Sequence, residues 1–186
     1  MTARLVILDR DGVINAESPD HVKSVAEWQP LAGSLDAIGR LNRAGWRTAL
    51  ATNQSGIARG LFDEAALAAI HDHINAELAG HGGVLDPVVH SPDGPGVDAP
   101  RRKPRPGMLL EIAERLGTDL AGVPYVGDSA RDVEAARAAG ARPVLVLTGN
   151  GARTVAAGID LADVDVFDDL ADFADAWLAA HPESAP

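Results

Sequence analysis

The stretch Leu5-Val6-Ile7-Leu8-Asp9-Arg10-Asp11-Gly12-Val13-Ile14-Asn15 decides how this chain is read. Its first four residues form an apolar run of strand length and strand composition. Asp9 and Asp11 follow at once, and two carboxylates at the end of a buried strand are costly unless something cationic or reactive needs them. Strand alternation aims both side chains to the same side. Gly12 and Asn15 let the chain turn away, which leaves the acids at the C-terminal edge of the strand, where open α/β sheets place their ligands. A hard cation such as Mg2+ would find oxygen ligands there beside a phosphate. The first carboxylate can attack phosphorus and the second can move a proton; the competing reading is a turn with two solvated acids.

Three further segments bear on that choice. Thr48-Ala49-Leu50-Ala51 is a second strand-like run and delivers Thr52-Asn53-Gln54-Ser55-Gly56. A hydroxyl, an amide and a Gly-containing turn entering a helix make a phosphate cradle, although a helix N-cap with a turn uses the same residues. Arg101-Arg102-Lys103-Pro104-Arg105-Pro106 is the densest basic cluster of an otherwise acidic chain. Lys103 suits a phosphoryl oxygen as a point charge, and Arg102 can make a bidentate contact. Val123-Pro124-Tyr125-Val126 then leads into Gly127-Asp128-Ser129-Ala130-Arg131-Asp132. Asp128 is a candidate metal ligand, whereas Asp132 either supports the site from behind or is an acid favoured at a helix N-terminus.

With 186 residues the chain is expected to form one α/β domain over residues 1–186, with Pro182–Pro186 as a frayed tail. Strands are expected at Leu5–Leu8, Thr48–Ala51, Pro87–His90, Pro124–Val126 and Val144–Leu147, with a weaker edge strand at Val164–Phe167. Helices are expected near Gly33–Ala44, Asp63–Gly80, Gly107–Leu116, Asp132–Ala139, Asn150–Ala157 and Leu170–Ala180. Leu109, Ile112, Ala113 and Leu116 follow the stripe of a helix that covers a sheet. His71, His73 and His81 read as a solvated helix face rather than a ligand set. The formal net charge of −11 argues against nucleic acid, whose phosphates such a surface repels. No apolar run approaches the ~20 residues that cross a bilayer, the N-terminal segment lacks the pattern of a signal peptide, and zero cysteines exclude disulfides and agree with a cytoplasmic address.

The order Asp-x-Asp-Gly, strand-end Thr, Lys-Pro and Gly-Asp-x-x-x-Asp resembles the haloacid dehalogenase-like phosphohydrolases. The wording DRDGVIN, TNQSGIARG, RKPRPGM and VGDSARD is similar, more narrowly, to the heptose bisphosphate phosphatases of that superfamily, with the histidinol-phosphate phosphatases as the alternative. The likeness runs from about Leu5 to Gly149. It implies a three-layer Rossmann-like sandwich with a mainly parallel sheet, and an Mg2+-dependent phosphatase of a small phosphosugar in carbohydrate metabolism, on the route to a lipopolysaccharide core precursor. In that reading Asp9 is the nucleophile and Asp11 the acid and base. Thr52 and Lys103 stabilise the phosphoryl oxygens, and Asn53, Gln54, Ser55 and Arg102 bind substrate. The metal ligands are Asp9, the backbone carbonyl of Asp11, and Asp128.

Two departures and one spacing qualify the resemblance. Many members of the family carry a zinc loop built on one histidine and three cysteines. Here His90 remains while Val88, Ala99 and Arg101 stand at the cysteine positions, so no zinc is expected. His90 is then read as a strand-end histidine bonded within its loop. The family's frequent Lys after the last-motif Asp is replaced by Ser129. Finally, neither Asp9 to Thr52 nor Thr52 to Lys103 leaves room for a cap domain. The site is expected to be open, framed by the loops Ala16–Trp28, Gly56–Phe62 and Ser91–Pro100, in a monomer.

Overall fold

The hydrophobic runs pair into a single six-stranded parallel sheet in the computed structural model, which describes residues 4–182. The tail Pro182–Pro186 lies, apart from Pro182, outside the described residues. The strands are β1 (Leu5–Leu8), β2 (Arg47–Asn53), β3 (Val88–Ser91), β4 (Pro124–Gly127), β5 (Arg142–Val146) and β6 (Asp165–Phe167), in the spatial order β3-β2-β1-β4-β5-β6. Between them run α1 (Ser34–Arg43), α2 (Glu64–Gly80), α3 (Gly107–Leu116), α4 (Ala130–Ala139), α5 (Gly151–Ala156) and, after β6, α6 (Leu170–Ala180). The register sets Leu8 beside Leu50 and Ile7 beside Tyr125. Succession along the sheet reverses at β1, because the chain winds outward through β2 and β3 and then returns to lay β4 on the other side. That reversal opens a crevice at the carboxyl ends of β1 and β4.

Alternation along β1 builds both cores. Val6 and Leu8 point into a cluster with Ile38, Leu41, Ile70, Ile74, Phe173 and Trp177, which belongs to α1, α2 and α6. Leu5 and Ile7 point into the opposite cluster with Met108, Leu109, Ile112, Ala135 and Ala136 of α3 and α4. A strand covered on both faces must be apolar throughout, and all four residues of β1 are buried. The expected stripe of α3 is the face that does this covering, with Leu109, Ile112 and Ala113 buried.

The structure departs from expectation in four places. β2 continues through Thr52 and Asn53, because β3 pairs with them at His90 and Ser91. No helix begins there: turns fill the interval to Asp63, whose own carboxylate caps α2 by accepting from the Ala66 N–H at 2.8 Å. The expected cradle of a turn entering a helix is therefore absent at Thr52. At the other end, α4 starts at Ala130 rather than Asp132, since Ser129 and Asp132 form a reciprocal capping box. His71 is buried rather than solvated, and a short 3-10 helix, Val25–Glu27, interrupts the loop Ala16–Trp28.

Candidate active site

Asp9 leaves the end of β1 while its N–H still bonds the Val126 carbonyl of β4 at 2.9 Å, which pins its carboxylate over the crevice. Lys103, only 3% exposed, reaches the same place from the basic segment. Its ammonium lies 2.8 Å from Asp9 Oδ1 and 2.7 Å from Asp132 Oδ1, with the Tyr125 hydroxyl at 2.8 Å and the Ala51 carbonyl at 3.2 Å. Burial alone lowers the Lys103 pKa, but Asp132 and Asp9 outweigh it and hold it above its ordinary value. Asp128, at the end of β4, completes a triangle with Asp9 and Asp132 whose ligand oxygens lie within 4.8 Å of one another.

Three buried carboxylates and one ammonium leave this place with too much negative charge. Burial, with Asp132 and Asp128 alongside, pushes the Asp9 pKa up to about 7 against the partial relief of Lys103. Burial and the Asp132 charge push Asp128 up to about 7 as well. A divalent cation with oxygen preference would relieve both, so the donor set fits one. The Asp11 carboxylate lies outside the triangle, whose third corner is Asp132. Asp128 is also tightly enclosed: Gly12 at φ +80° and Gly149 at φ +58° flank it, and a Cβ on either would collide with its Oδ2.

Asp11 occupies a different environment. Arg10, fully buried, forks onto it with Nη2 at 3.0 Å from Oδ1 and 3.1 Å from Oδ2. Asn15 Nδ2 donates to Oδ1 at 2.9 Å and Gln54 Nε2 donates to Oδ2 at 2.9 Å. Burial pushes the Asp11 pKa up, but the Arg10 charge and the two amides overturn that and keep it below the usual carboxylate value. A divalent cation at Asp9 would return that carboxylate to the anionic form, whereas Asp11 takes up a proton only against the Arg10 charge.

The cavity above these groups has a volume of about 400 Å³, and Asp9, Asp11, Thr52, Asn53, Ser55, Arg102, Lys103 and Asp128 all line it. Gln54 does not. It is 1% exposed, and its amide is spent on Asp11 and on Thr52 Oγ1, 3.0 Å away, so the expected direct contact with substrate is replaced by a contact with Asp11. Asn53 lines the cavity but also clasps the backbone of Lys103, donating to its carbonyl at 3.1 Å and accepting from its N–H at 3.0 Å. Arg102 donates to the Asp93 carbonyl at 2.6 Å. Burial and the nearby charges of Arg131 and Arg59 lower its pKa, which records three guanidiniums gathered around one cavity.

Arg59, Arg131, Glu17 and Asn150 also line the cavity and were not among the expected site residues. Arg59 and Arg131 lie inside the motif segments quoted above, and a cation beside a motif in so acidic a chain was the signal available. Glu17 belongs to the expected framing loop; burial and the Asp11 and Asp9 charges raise its pKa. Asn150 donates its backbone N–H to Asp128 Oδ2 at 2.8 Å. Ser129, at the position of the missing lysine, lines the cavity while capping α4. His90 lies outside this group and bonds Glu64 of α2 at 2.8 Å, not a group of its own loop, because the first turn of α2 packs beside the end of β3.

Comparison with known proteins agrees with the motifs. The family model described as "HAD-hyrolase-like" matches residues 100–173. A D-glycero-beta-D-manno-heptose-1,7-bisphosphate 7-phosphatase of Pseudomonas aeruginosa is 49% identical over 178 residues, covering 96% of this chain and 99% of the relative. The protein of the same name from Bordetella bronchiseptica is 54% identical, with 94% and 98% covered. The crystal structure of a D,D-heptose 1,7-bisphosphate phosphatase from B. bronchiseptica, complexed with magnesium and phosphate, superposes with a TM-score of 0.93 at 53% identity, covering 97% of this chain and 99% of the other. The chain belongs to the haloacid dehalogenase-like hydrolases, in the branch that these heptose bisphosphate phosphatases form.

Proposed function

We infer that this protein is a phosphoric monoester hydrolase that removes the 7-phosphate of D-glycero-D-manno-heptose 1,7-bisphosphate, in the β form named for its relatives. The observation that carries this reading is the meeting, at the mouth of one crevice, of a carboxylate pair, a buried lysine and three arginines, in a chain about half identical to phosphatases of that name. A bisphosphate needs cationic contacts at two places. Lys103 serves the reacting phosphoryl group, and Arg102, Arg59 and Arg131 are placed to hold the other phosphate.

In the reaction, an oxygen of Asp9 bonds to phosphorus while the bond to the sugar oxygen breaks, and the carboxyl proton of Asp11 goes to that leaving oxygen. Water then attacks the aspartyl-phosphate, its proton returns to Asp11, and inorganic phosphate departs with the Asp9 carboxylate restored. Lys103 and the Thr52 hydroxyl hold equatorial oxygens as charge develops on them. Asn53 fixes Lys103 by its backbone, Ser55 faces the substrate, and Asp132 keeps Lys103 charged and aimed. Asp9, Asp128 and the Asp11 carbonyl would hold Mg2+, which when bound offsets repulsion between the anionic nucleophile and phosphate.

The same reading takes the chain as one capless, monomeric domain, cytoplasmic, with no nucleic-acid partner. No described helix is long and apolar enough to cross a membrane. It also takes the loop Ser91–Pro100 as zinc-free. In support, Ser91 bonds Asp93 at 2.9 Å, Arg105 pairs with Asp98, and the Gly107 N–H meets the Pro100 carbonyl at 3.0 Å. The test is a substrate panel on chelated and Mg2+-restored enzyme: both anomers of the heptose bisphosphate, histidinol phosphate and simple sugar phosphates, with zinc analysis of the same sample. Mg2+-dependent preference for the β bisphosphate is expected. Preference for histidinol phosphate overturns the substrate, and a stoichiometric zinc overturns the account of the loop.

A further inference from the structure

Gln54 is 1% exposed, lies behind the cavity wall and cannot touch substrate, yet its side chain joins two groups that face the cavity. Nε2 donates to Asp11 Oδ2 at 2.9 Å and to Thr52 Oγ1 at 3.0 Å, which accounts for both of its N–H bonds. Nε2, rather than Oε1, faces both oxygens. Its own anchorage is firm: the Gln54 N–H bonds the Ser91 carbonyl at 2.7 Å, beyond the last rung between β2 and β3.

Each bond does something the other partners of these groups cannot. The remaining donors to Asp11, from Arg10 and Asn15, all come from its own β1 loop and move with it. Gln54 is the donor among the described residues that ties Asp11 to β2, the strand bearing Thr52. Because Thr52 Oγ1 accepts from Gln54, its hydroxyl hydrogen is turned toward other acceptors, and Thr52 lines the cavity. One amide thereby fixes the distance between the proton-carrying carboxyl and the phosphoryl-holding hydroxyl. Catalysis of this kind loses efficiency when such groups drift by a fraction of an ångström.

We propose that Gln54 is a positioning residue for the acid–base step, holding the Asp11 carboxyl in register with the phosphate pocket on β2. The proposal rests on the reading of Asp11 given above, and the following experiment separates the two. Gln54→Met preserves length and volume while removing both donors. With a sugar phosphate, whose alkoxide must be protonated to leave, kcat/KM of Gln54→Met is expected to fall about ten- to a hundredfold, chiefly in kcat. With 2,4-dinitrophenyl phosphate, whose leaving group needs no proton, the first turnover is expected to fall about tenfold less than with the sugar phosphate, the residual loss being the share carried through Thr52. A burst of dinitrophenolate then precedes slow release of phosphate, because the water step still needs Asp11.

Asp11→Asn supplies the reference, and Gln54→Met added to it is expected to cost little further, since the two act as a unit. An equal loss on both substrates without a burst, while Asp11→Asn shows the burst, overturns the role of Gln54. Fully additive losses in the double variant overturn it as well. If Asp11→Asn itself discriminates nothing between the two leaving groups, the acid–base reading of Asp11 fails and this inference falls with it. Gln54→Leu, which also lacks both donors, repeats the comparison should the methionine variant unfold.

Discussion

Replacing Asp132 by Asn tests the buried charge cluster most directly. Lys103 is 3% exposed and Asp132 1%, so their pair lies in a medium that screens little. Removing one partner of a buried pair costs about 3–5 kcal/mol when the survivor is left alone. Here Lys103 keeps Asp9 at 2.8 Å, the Tyr125 hydroxyl and the Ala51 carbonyl, which places the cost at the low end. The loss of mutual repulsion with Asp9 and Asp128 returns only roughly 1 kcal/mol, because both are raised to about 7 and are mostly protonated in an assay run near pH 6. Against that, the capping box of α4 loses the acceptor for the Ser129 N–H and hydroxyl, at 3.0 and 2.6 Å, worth about 1 kcal/mol. The balance is a destabilisation of about 2–4 kcal/mol, short of unfolding a domain with typical stability. Urea titration in chelator, with an unchanged slope, is the assay, because bound metal would add its own stabilisation. Repeating it in Mg2+ asks a second question. Equal stabilisation of both proteins by the metal is expected if Asp132 serves Lys103 alone, and a much smaller gain in the variant makes Asp132 a metal ligand. A loss below about 1 kcal/mol in chelator refutes the reasoning that Asp132 is the main counter-charge of Lys103.

The other predictions follow from single groups. Asp9→Asn keeps the shape and removes the anionic oxygen, so steady-state turnover is expected at background with the fold intact; activity above a few per cent, deamidation excluded by mass spectrometry, removes Asp9 as nucleophile. Arg102→Ala is expected to lower kcat/KM on the bisphosphate by roughly 1–3 kcal/mol, with a smaller loss on an aryl phosphate; equal losses place Arg102 in the chemical step or the fold. Burial drives the His71 pKa from 6.5 down to about 3, so the native state holds it neutral while the unfolded chain protonates it. Its contribution is complete above pH 6.5 and is lost as pH falls toward 3, by up to about 1.4 kcal/mol per unit. Asp9 and Asp128, raised to about 7, act in the opposite sense over the same range, so the quantity to measure is the difference between wild type and His71→Leu. That difference should shrink on acidification from pH 6 to 4, and a constant difference contradicts a buried neutral His71.

How much of this was legible beforehand depended on whether the cause was local. The apolar runs ending in Asp9 and near Asp128 disclosed their strands because a doubly covered parallel strand has to be apolar, and the α3 stripe disclosed its inward face. The end of β2 was misjudged because Thr52 and Asn53 owe their extended state to β3, which no residue nearby announces. The motif points to Gln54 as a substrate ligand, yet its direction is set by Asp11, which lies on another strand's loop. Arg59 and Arg131 escaped for a related reason: each reads as an ordinary surface arginine until the topology brings separate loops around one cavity. His71 within α2 and the exposed His81 just beyond it look alike in sequence, and only the packing of α2 distinguishes them.

Gly12 and Gly149 come from loops after different strands, and Asp128 lies between them with no space for a methyl group on either side. Variation on that flank is closed to this protein, since any side chain there would push out the carboxylate before it altered what the cavity admits. The rim also holds Glu17, His21 and Pro95, in the loops Ala16–Trp28 and Ser91–Pro100. New substrate preferences are therefore accessible to this fold only by change away from that flank. Directed evolution toward other phosphosugars should gather its substitutions in the loops Ala16–Trp28 and Ser91–Pro100 and leave the two glycines alone.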